Sequence, residues 1–548
     1  MTRSTMALGS LLILSMTAPS SAHAMDYYLD SVAGNDSNSG HAEGSPWQST
    51  APLAAVTFAA GDTVYFKRGS SFDLAAATSG FGNEGISLSG SESGNASDPI
   101  VFTSYGTGPR PVLSNARTGS GNAVFTFRGG YVVVEGIEMT GAHYAGVVVE
   151  DTGHHVTVQD CETHHLGIGV VLFGTQCLVT RNIFRDGTMV VNTPGGDDDY
   201  GANGLVILGS HHEVSYNYAV RLIAPSMDYT IDGGFAEIYG AIDDVSIHHN
   251  VVHDSDGFSE CATGGSGTLS NITYAYNESY NNGGFAVVHT TAGMFDNIRY
   301  VNNTIVDLAG TPAIFWFAAT APSGPFIYQN NIVVLDRGTL YQRGSAVTHS
   351  NNIFFTDATL GITLDGSDQN VDPLFVDVAG GDLHLTSSSP ARDVGVSTLF
   401  STDLDGTPVP SGVGVDLGAR EYFVPGEDAG VVADAGIGDA GSLFDATVVS
   451  DAGEFDGGGS DAGTLVDAAI ATDAMSESDA ATGFDGGSTT SDAGAMAVDS
   501  GAGGSGVAPV SGCGCRVGAV PTSPGTSAVV SMILLALGVI ARKRTRRL

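Results

Sequence analysis

Seven asparagines, Asn182, Asn217, Asn250, Asn277, Asn303, Asn331 and Asn352, each close a short β-rich segment, in the contexts TRN, SYN, HHN, AYN, VNN, QNN and SNN. Their spacings of 35, 33, 27, 26, 28 and 21 residues are too uneven for a strict tandem array. They suit the coils of a solenoid that carry loops of different length. Between them run short Val, Ile, Tyr and Phe stretches broken by Gly, Asn, Asp and Ser, with no helical period. Coils stacked about 4.8 Å apart would let an Asn at one turn pass a side-chain amide hydrogen bond to the Asn of the next. The expected class is all-β, a single elongated solenoid of parallel strands.

Composition divides the 548 residues into four parts. Residues 1–24 carry Arg3, an apolar stretch around Leu8 to Met16 and Ala22-His23-Ala24, the pattern of a secretory signal peptide. Residues 25–424 form the repetitive body, long enough for roughly a dozen coils of about 25 to 30 residues. Residues 425–510 are Asp, Ala, Gly and Ser without a single Lys or Arg, a composition that cannot bury enough apolar area to fold and that serves as a self-repelling tether. Residues 511–548 hold Cys513-Gly514-Cys515, an apolar stretch from Ala528 to Ala541 and a basic end, Arg542 to Arg547. The stretch is short for a permanent membrane span, and the basic end would stay cytoplasmic.

The formal charge of −39 falls mostly on the body, at about −30, in which Lys67 is the only lysine. Such a surface repels nucleic acid and anionic lipid. The body's three cysteines, Cys161, Cys177 and Cys261, leave at least one unpaired; Cys161 and Cys177 are placed either to bridge or to remain two buried thiols.

Three groups of residues carry a resemblance. Tyr27-Tyr28-Leu29-Asp30, Gly34 to Gly40, Pro46-Trp47 and Gly61 to Gly69 resemble the opening of pectate-lyase-like right-handed parallel β-helix proteins. Asp372-Pro373-Leu374-Phe375, Ser389 to Asp393 and Asp416 to Ala419 resemble the closing coils of that superfamily. Cys513, Cys515, the short apolar span and the basic run resemble the C-terminal sorting signals of myxobacterial surface proteins, in which the tail is trimmed and the Cys region becomes the attachment point. The resemblance implies a right-handed parallel β-helix over residues 26–423, capped at both ends, exported and anchored through Cys513 and Cys515. Residues Trp47 to Ala60 would be a short amphipathic cover over the open strand edge.

The sharpest local repeat is Asp232-Gly233-Gly234-Phe235-Ala236-Glu237 against Asp256-Gly257-Phe258-Ser259-Glu260, 23 residues apart; a third copy at Gly283 puts Val287 in place of the glutamate. In register, the two glutamates stack one inter-strand spacing apart, and such like charges need a cation, a shared proton or a basic partner. Strand alternation adds Tyr239 and His289 to the same face. The candidate catalytic residues are Glu237, Glu260, His289 and Tyr239. Asp228, Asp232 and Asp256 are candidate ligands of a calcium ion, with no organic cofactor expected. Arg221, Tyr200 and Trp316 are candidate sugar-binding residues. The pairs His154-His155, His164-His165 and His211-His212 should each split across the two faces of a strand. A run Gly196 to Tyr200 with three aspartates could border the same groove or simply be soluble.

The segment Asp232 to Gly240 resembles the pectate lyase coil that supplies the lysine base, and Glu237 stands at or near that place. The resemblance thus implies a calcium-assisted polysaccharide lyase that would need another base. Paired carboxyls fit a glycoside hydrolase as well. A surface adhesin and a merely solvated acidic face are the non-catalytic alternatives. The expected partners are a polysaccharide and the cell envelope, with no nucleic acid, and the body is expected to act as a monomer.

Overall fold

The computed structural model describes residues 24–423 apart from Ser120, Asp197 and short stretches at 264–266, 290–292, 309–312, 318–323, 337–338, 343–346, 358–359 and 397–398. The signal segment, the Asp-rich linker and the Cys513/Cys515 tail lie outside the described residues. Each complete coil gives one strand to each of three parallel sheets, and the incomplete first and last turns leave them with twelve, ten and eleven strands among the described residues. The twelve-stranded sheet runs from Asp26–Leu29 to Val347–Ser350, the ten-stranded from Ile86–Leu88 to Thr339–Gln342, and the eleven-stranded from Ser71–Asp73 to Ile353–Thr356. This is the parallel β-helix expected from the Asn motif.

The asparagines sit in the tight turn between the twelve- and eleven-stranded sheets and form one unbroken ladder. Asn182 Nδ2 donates to Asn217 Oδ1 at 3.0 Å, and the same bond repeats through Asn250, Asn277, Asn303 and Asn331 to Asn352. Each amide also donates to a carbonyl of the previous coil, as Asn217 does to Val179. At the last rung Asn352 donates to the carboxylate of Asp368. The residue before each rung, from Arg181 (φ 55°) to Asn351 (φ 55°), is left-handed. That conformation costs an ordinary residue roughly 1 kcal/mol, which the buried amide bonds offset. Inside the coils, Tyr274, Tyr300 and Tyr328 stack at 4.8 and 4.6 Å between ring centres.

Three details fill in or amend the sequence-based picture. The cover over the first coil is largely non-helical: Leu53–Ala55 makes a single 3-10 turn, after Pro52, and Trp47, Leu53 and Phe58 are buried. The C-terminal segments do not cap the open end. They run back along the outer face of the eleven-stranded sheet, where Leu383, Leu385, Ala391 and Leu417 bury Val306, Ile332, Val334 and Ile353. Asn302 donates to the carbonyl of Asp416, and Ala419 N to Thr304 Oγ1, so coils and strap share a hydrogen-bonded seam. Third, Cys161, Cys177 and Cys261 are all buried free thiols, which settles the open pairing against a bridge.

The strap holds three buried carboxyls, Asp403, Asp416 and Glu421, each accepting backbone N–H groups. Burial pushes Glu421 up to about 7, with Asp416 and Asp403 adding to the rise. The folded state therefore binds more protons than the unfolded chain between about pH 4.5 and 7, and stability is lost as pH rises through that window. Asp186, held at about 2 chiefly by its bond to Arg221, acts oppositely and loses its contribution only below about pH 4. The melting temperature should peak near pH 5 and fall by at least ~2 °C by pH 8. In Glu421→Gln that difference should shrink, and an unchanged slope would remove Glu421 as its source.

Candidate active site on the ten-stranded sheet

Strand Gly234–Tyr239 turns Ala236 and Ile238 into the coil and Glu237 and Tyr239 outward. Strand Ser259–Ala262 follows in parallel, with Glu237 opposite Glu260 and Tyr239 opposite Ala262. The next strand sets Val287 beside Glu260 and His289 beside Ala262. One outward column thus reads Val148, Val171, Val206, Glu237, Glu260 and Val287 in register, two acids within an apolar row. The chain enters the first acidic strand through Gly233 and Gly234, at φ +142° and +145°. A Cβ on Gly233 would lie 2.5 Å from the carbonyl oxygen of Leu222, so the entry admits only glycine there.

The two glutamates share a donor. Tyr239 Oη donates to Glu260 Oε1 at 2.6 Å and is also hydrogen-bonded to Glu237, while Asn203 Nδ2 donates to Glu237 Oε1 at 2.7 Å. Burial raises the Glu237 carboxyl well above the usual range, and the charge of Glu260 raises it further against those bonds. Asp232 is raised for the same reasons, by burial and then by Glu237, Glu260 and Asp256. Burial and the charge of Glu260 thus favour the protonated form of Glu237, the state a proton donor needs.

Of the other candidates, Asp232 and Asp256 lie in this electrostatic cluster, both buried. Asp228 does not. It joins Asp198 and Asp199, the group among the described residues whose carboxylate oxygens converge within 4.8 Å. Asp199 is a staple between the two loops that precede strands Asn203–Ile207 and Gly234–Tyr239: it accepts from Thr193 N, Ser226 Oγ, Met227 N and Asp228 N. Asp228 likewise accepts from Gly195 N and Asp198 N. These bonds tie the two loops together and set the three carboxylates side by side. Arg221 grips Asp186 with two bonds, at 2.6 and 3.0 Å, on the turn after strand Tyr218–Val220. Tyr200 packs with Val190 and Tyr144 over Val148, Val171 and Val206, next to the acids. The side chains of His289 and Trp316, like Cys513 and Cys515, lie outside the described residues.

The histidine pairs depart from strand alternation. His154 and His155 meet Nδ1 to Nδ1 at 2.9 Å, His164 and His165 at 2.7 Å. The second member of each is left-handed, which folds its ring back onto the first. His211 and His212 instead bond apart, to Asp244 and to Cys177 N. Asn203 is the residue that sequence reasoning missed; in Ala-Asn-Gly it reads as a turn, and only its register opposite Gly234 brings it to Glu237.

No protein-family model matches the sequence, and no curated protein does. Among solved structures, the pectate lyase Pel9A aligns with a TM-score of 0.53 at 18% identity, over 73% of this chain and 97% of its own. An alginate lyase from a Paenibacillus species (TM-score 0.39, 16% identity, 53% and 93% of the two chains) and a rhamnogalacturonan lyase (0.40, 14%, 63% and 84%) align less closely. The likeness to the pectate lyase is one of fold.

Proposed function

We propose that this chain is an exported, surface-tethered carbohydrate-active β-helix that cleaves a polysaccharide on the outer face of its ten-stranded sheet, with Glu237 as proton donor and Glu260 as the carboxylate. The observation that carries this reading is the in-register Glu237/Glu260 pair bridged by Tyr239. In hydrolysis, Glu237 gives its proton to the glycosidic oxygen as the bond breaks, and Glu260 stabilises or attacks the positively charged anomeric carbon. Tyr239 fixes Glu260 in place by donating to its Oε1. Tyr200, half-buried over the covered row of Val148, Val171 and Val206, is the aromatic side chain placed to border a flanking sugar. The shared fold with a pectate lyase supports a polysaccharide partner.

A calcium-assisted lyase is the second reading, favoured by the three converging carboxylates of Asp198, Asp199 and Asp228, whose hard oxygen donors would hold calcium; a bound ion would neutralise a uronate. The lyase base would then fall to Tyr239 or His289, because Lys67 is far off in the first coil and Arg221 is engaged by Asp186. Incubation of the full chain with neutral and uronate glycans separates the two readings. Reducing ends without 235 nm absorbance support hydrolysis; unsaturated product lost on chelation supports the lyase; neither signal, with glycan retained on the protein, leaves an adhesin.

The tail assignment has its own test. Cys513, Cys515 and the basic end are proposed to hold the protein at the envelope, with residues 425–510 as spacer. Deleting residues 511–548 should move most of the protein from cells to medium. Equal retention of the truncated and full chains would refute the anchor.

A further inference from the structure

Three histidine pairs share one geometry, in which the second residue is left-handed and the two Nδ1 atoms meet: His154–His155, His164–His165 and His248–His249, the last at 2.7 Å. The first two lie on open turns, with His165 exposed and His154 and His155 half-exposed. The third is buried, and the C-terminal strap lies over it. The Phe400 ring covers both imidazoles, 4.4 Å from His248 and 5.2 Å from His249 between ring centres. His249 is stacked between Tyr216 at 4.8 Å and Tyr276 at 5.3 Å, and its Nε2 donates to the carbonyl of Thr402 at 3.0 Å. At the other end of the row, His248 Nε2 stands 3.4 Å from Glu213 Oε1. Counting hydrogens along the row limits what the pair can hold. A carbonyl only accepts, so His249 carries a hydrogen on Nε2. The Nδ1 contact has room for one hydrogen, never two. A neutral pair therefore has two hydrogens, both bonded, and a singly charged pair places a third on His248 Nε2, facing Glu213. A second charge would put a hydrogen on each Nδ1, and the contact could not survive it.

We propose that His248 and His249 form an acid-released clasp, which seats strap residues 400–402 while the pair carries at most one charge and lets them go when it takes a second. Tyr216 and Tyr276 confine His249 on both faces, so the rings part toward the strap, which is held there by Phe400 and the Thr402 carbonyl and not by a sheet. The other two pairs have no strap above them and part freely. The titratable groups that face the clasp are Glu213 and Tyr216 from the preceding coil and Tyr276 from the next. Asp403, beside Thr402 in the strap, turns its carboxylate to Thr407 N and Glu421 N. Burial lowers His249 to about 4, and the charge of His248 adds to the fall against the bond to Thr402. The folded chain thus binds fewer protons here than the unfolded chain between about pH 6.5 and 4, and the clasp's contribution is lost as pH falls through that window. Asp403, Asp416 and Glu421 respond in the opposite sense, so the clasp is read at the strap edge and not from the melting temperature.

The test is hydrogen exchange of the full chain followed by mass spectrometry, with each rate taken relative to an unstructured peptide of the same sequence at the same pH. Residues 399–408 should be protected at about pH 6.5 and exchange about tenfold faster or more near pH 4, while residues 416–419, bonded to Asn302 and Thr304, change less than about threefold. His248→Asn puts an amide where Nδ1 was; it takes no charge and can turn its oxygen to a protonated His249, so the acid step should disappear. Glu421→Gln should leave the step in place. A strap edge equally protected at both pH values overturns the clasp. So does a step that survives in His248→Asn, or one that Glu421→Gln abolishes, since the proton would then lie among the strap carboxyls. If His248→Asn fails to fold, the imidazole 15N signals of the parent decide. They should show a hydrogen on His249 Nε2 at about pH 6.5, and the pair should take its second charge with the same midpoint as the exchange step. A bare His249 Nε2 at that pH, or a second charge taken with the strap edge still protected, refutes the proposal.

Discussion

Asn250→Leu should lower the melting temperature of the full chain by ~6 °C, the largest stability loss expected of any single near-isosteric change. The side chain is fully buried. Its Oδ1 accepts from Asn217 N and Nδ2, and its Nδ2 donates to Asn277 Oδ1, Val214 O and His248 O, all within 3.0 Å. Leucine fills the space and serves none of these groups. Each buried polar group stranded in this way costs about 1 to 3 kcal/mol. With several stranded at once the total is on the order of 5 kcal/mol, large against the marginal stability of any fold. Scanning calorimetry gives the answer directly; a drop of under 3 °C would mean that the ladder is ornamental and that apolar packing alone sets the coil register.

Glu237→Gln and Glu260→Gln should each reduce glycan cleavage by a thousandfold or more while keeping or raising the melting temperature. The activity loss follows because an amide neither delivers a proton to a leaving oxygen nor carries charge to the anomeric carbon. The stability gain is expected at a pH above the raised titration of Glu237, where each change removes one of two like charges held in register on adjacent strands. Parent activity should also fall as pH rises through the raised titration of Glu237, since the acid form is then lost. Melting curves and initial rates on the same preparations check both halves. Variants that match the parent in rate and stability would reduce the cluster to a solvated acidic face.

What could be read from the sequence was whatever repeats coil by coil. The Asn motif names the same turn seven times, and the two Asp-Gly-Phe-type copies, 23 residues apart, bring Glu237 against Glu260 without further information. Alternation then adds Tyr239. The rest depends on excursions from the coil that have no period. Asp228 belongs with Asp198 and Asp199 because two loops of unequal length happen to meet, and no spacing rule encodes that meeting. Left-handed turns at His155 and His165 reverse the expectation from alternation, since a single positive φ redirects a side chain. The C-terminal strap carries cap-like motifs, but its course along the eleven-stranded sheet is decided by which apolar residues of the coils remain uncovered. Asn203 was hidden because the loop before it, which ends in the short pair Met189–Val191 with Tyr200–Gly201, breaks the count from the previous coil.

The ladder has a further property that concerns length. Every rung from Asn182 to Asn352 has the same donor and acceptor relation to its neighbours, so the interior of the stack is unchanged by a shift of one coil, and only the ends, Cys161 N before Asn182 and Asp368 after Asn352, are distinct. A whole coil could therefore be inserted or excised between two rungs without a new kind of contact having to be invented. The rise per coil, about 4.8 Å, is close to the length of one sugar unit in an extended chain. Duplication of a 26- or 27-residue segment is therefore a route by which such a chain could grow by whole coils while every existing contact stays as it is, and on the proposed reading each added coil would lengthen the sheet face offered to a glycan.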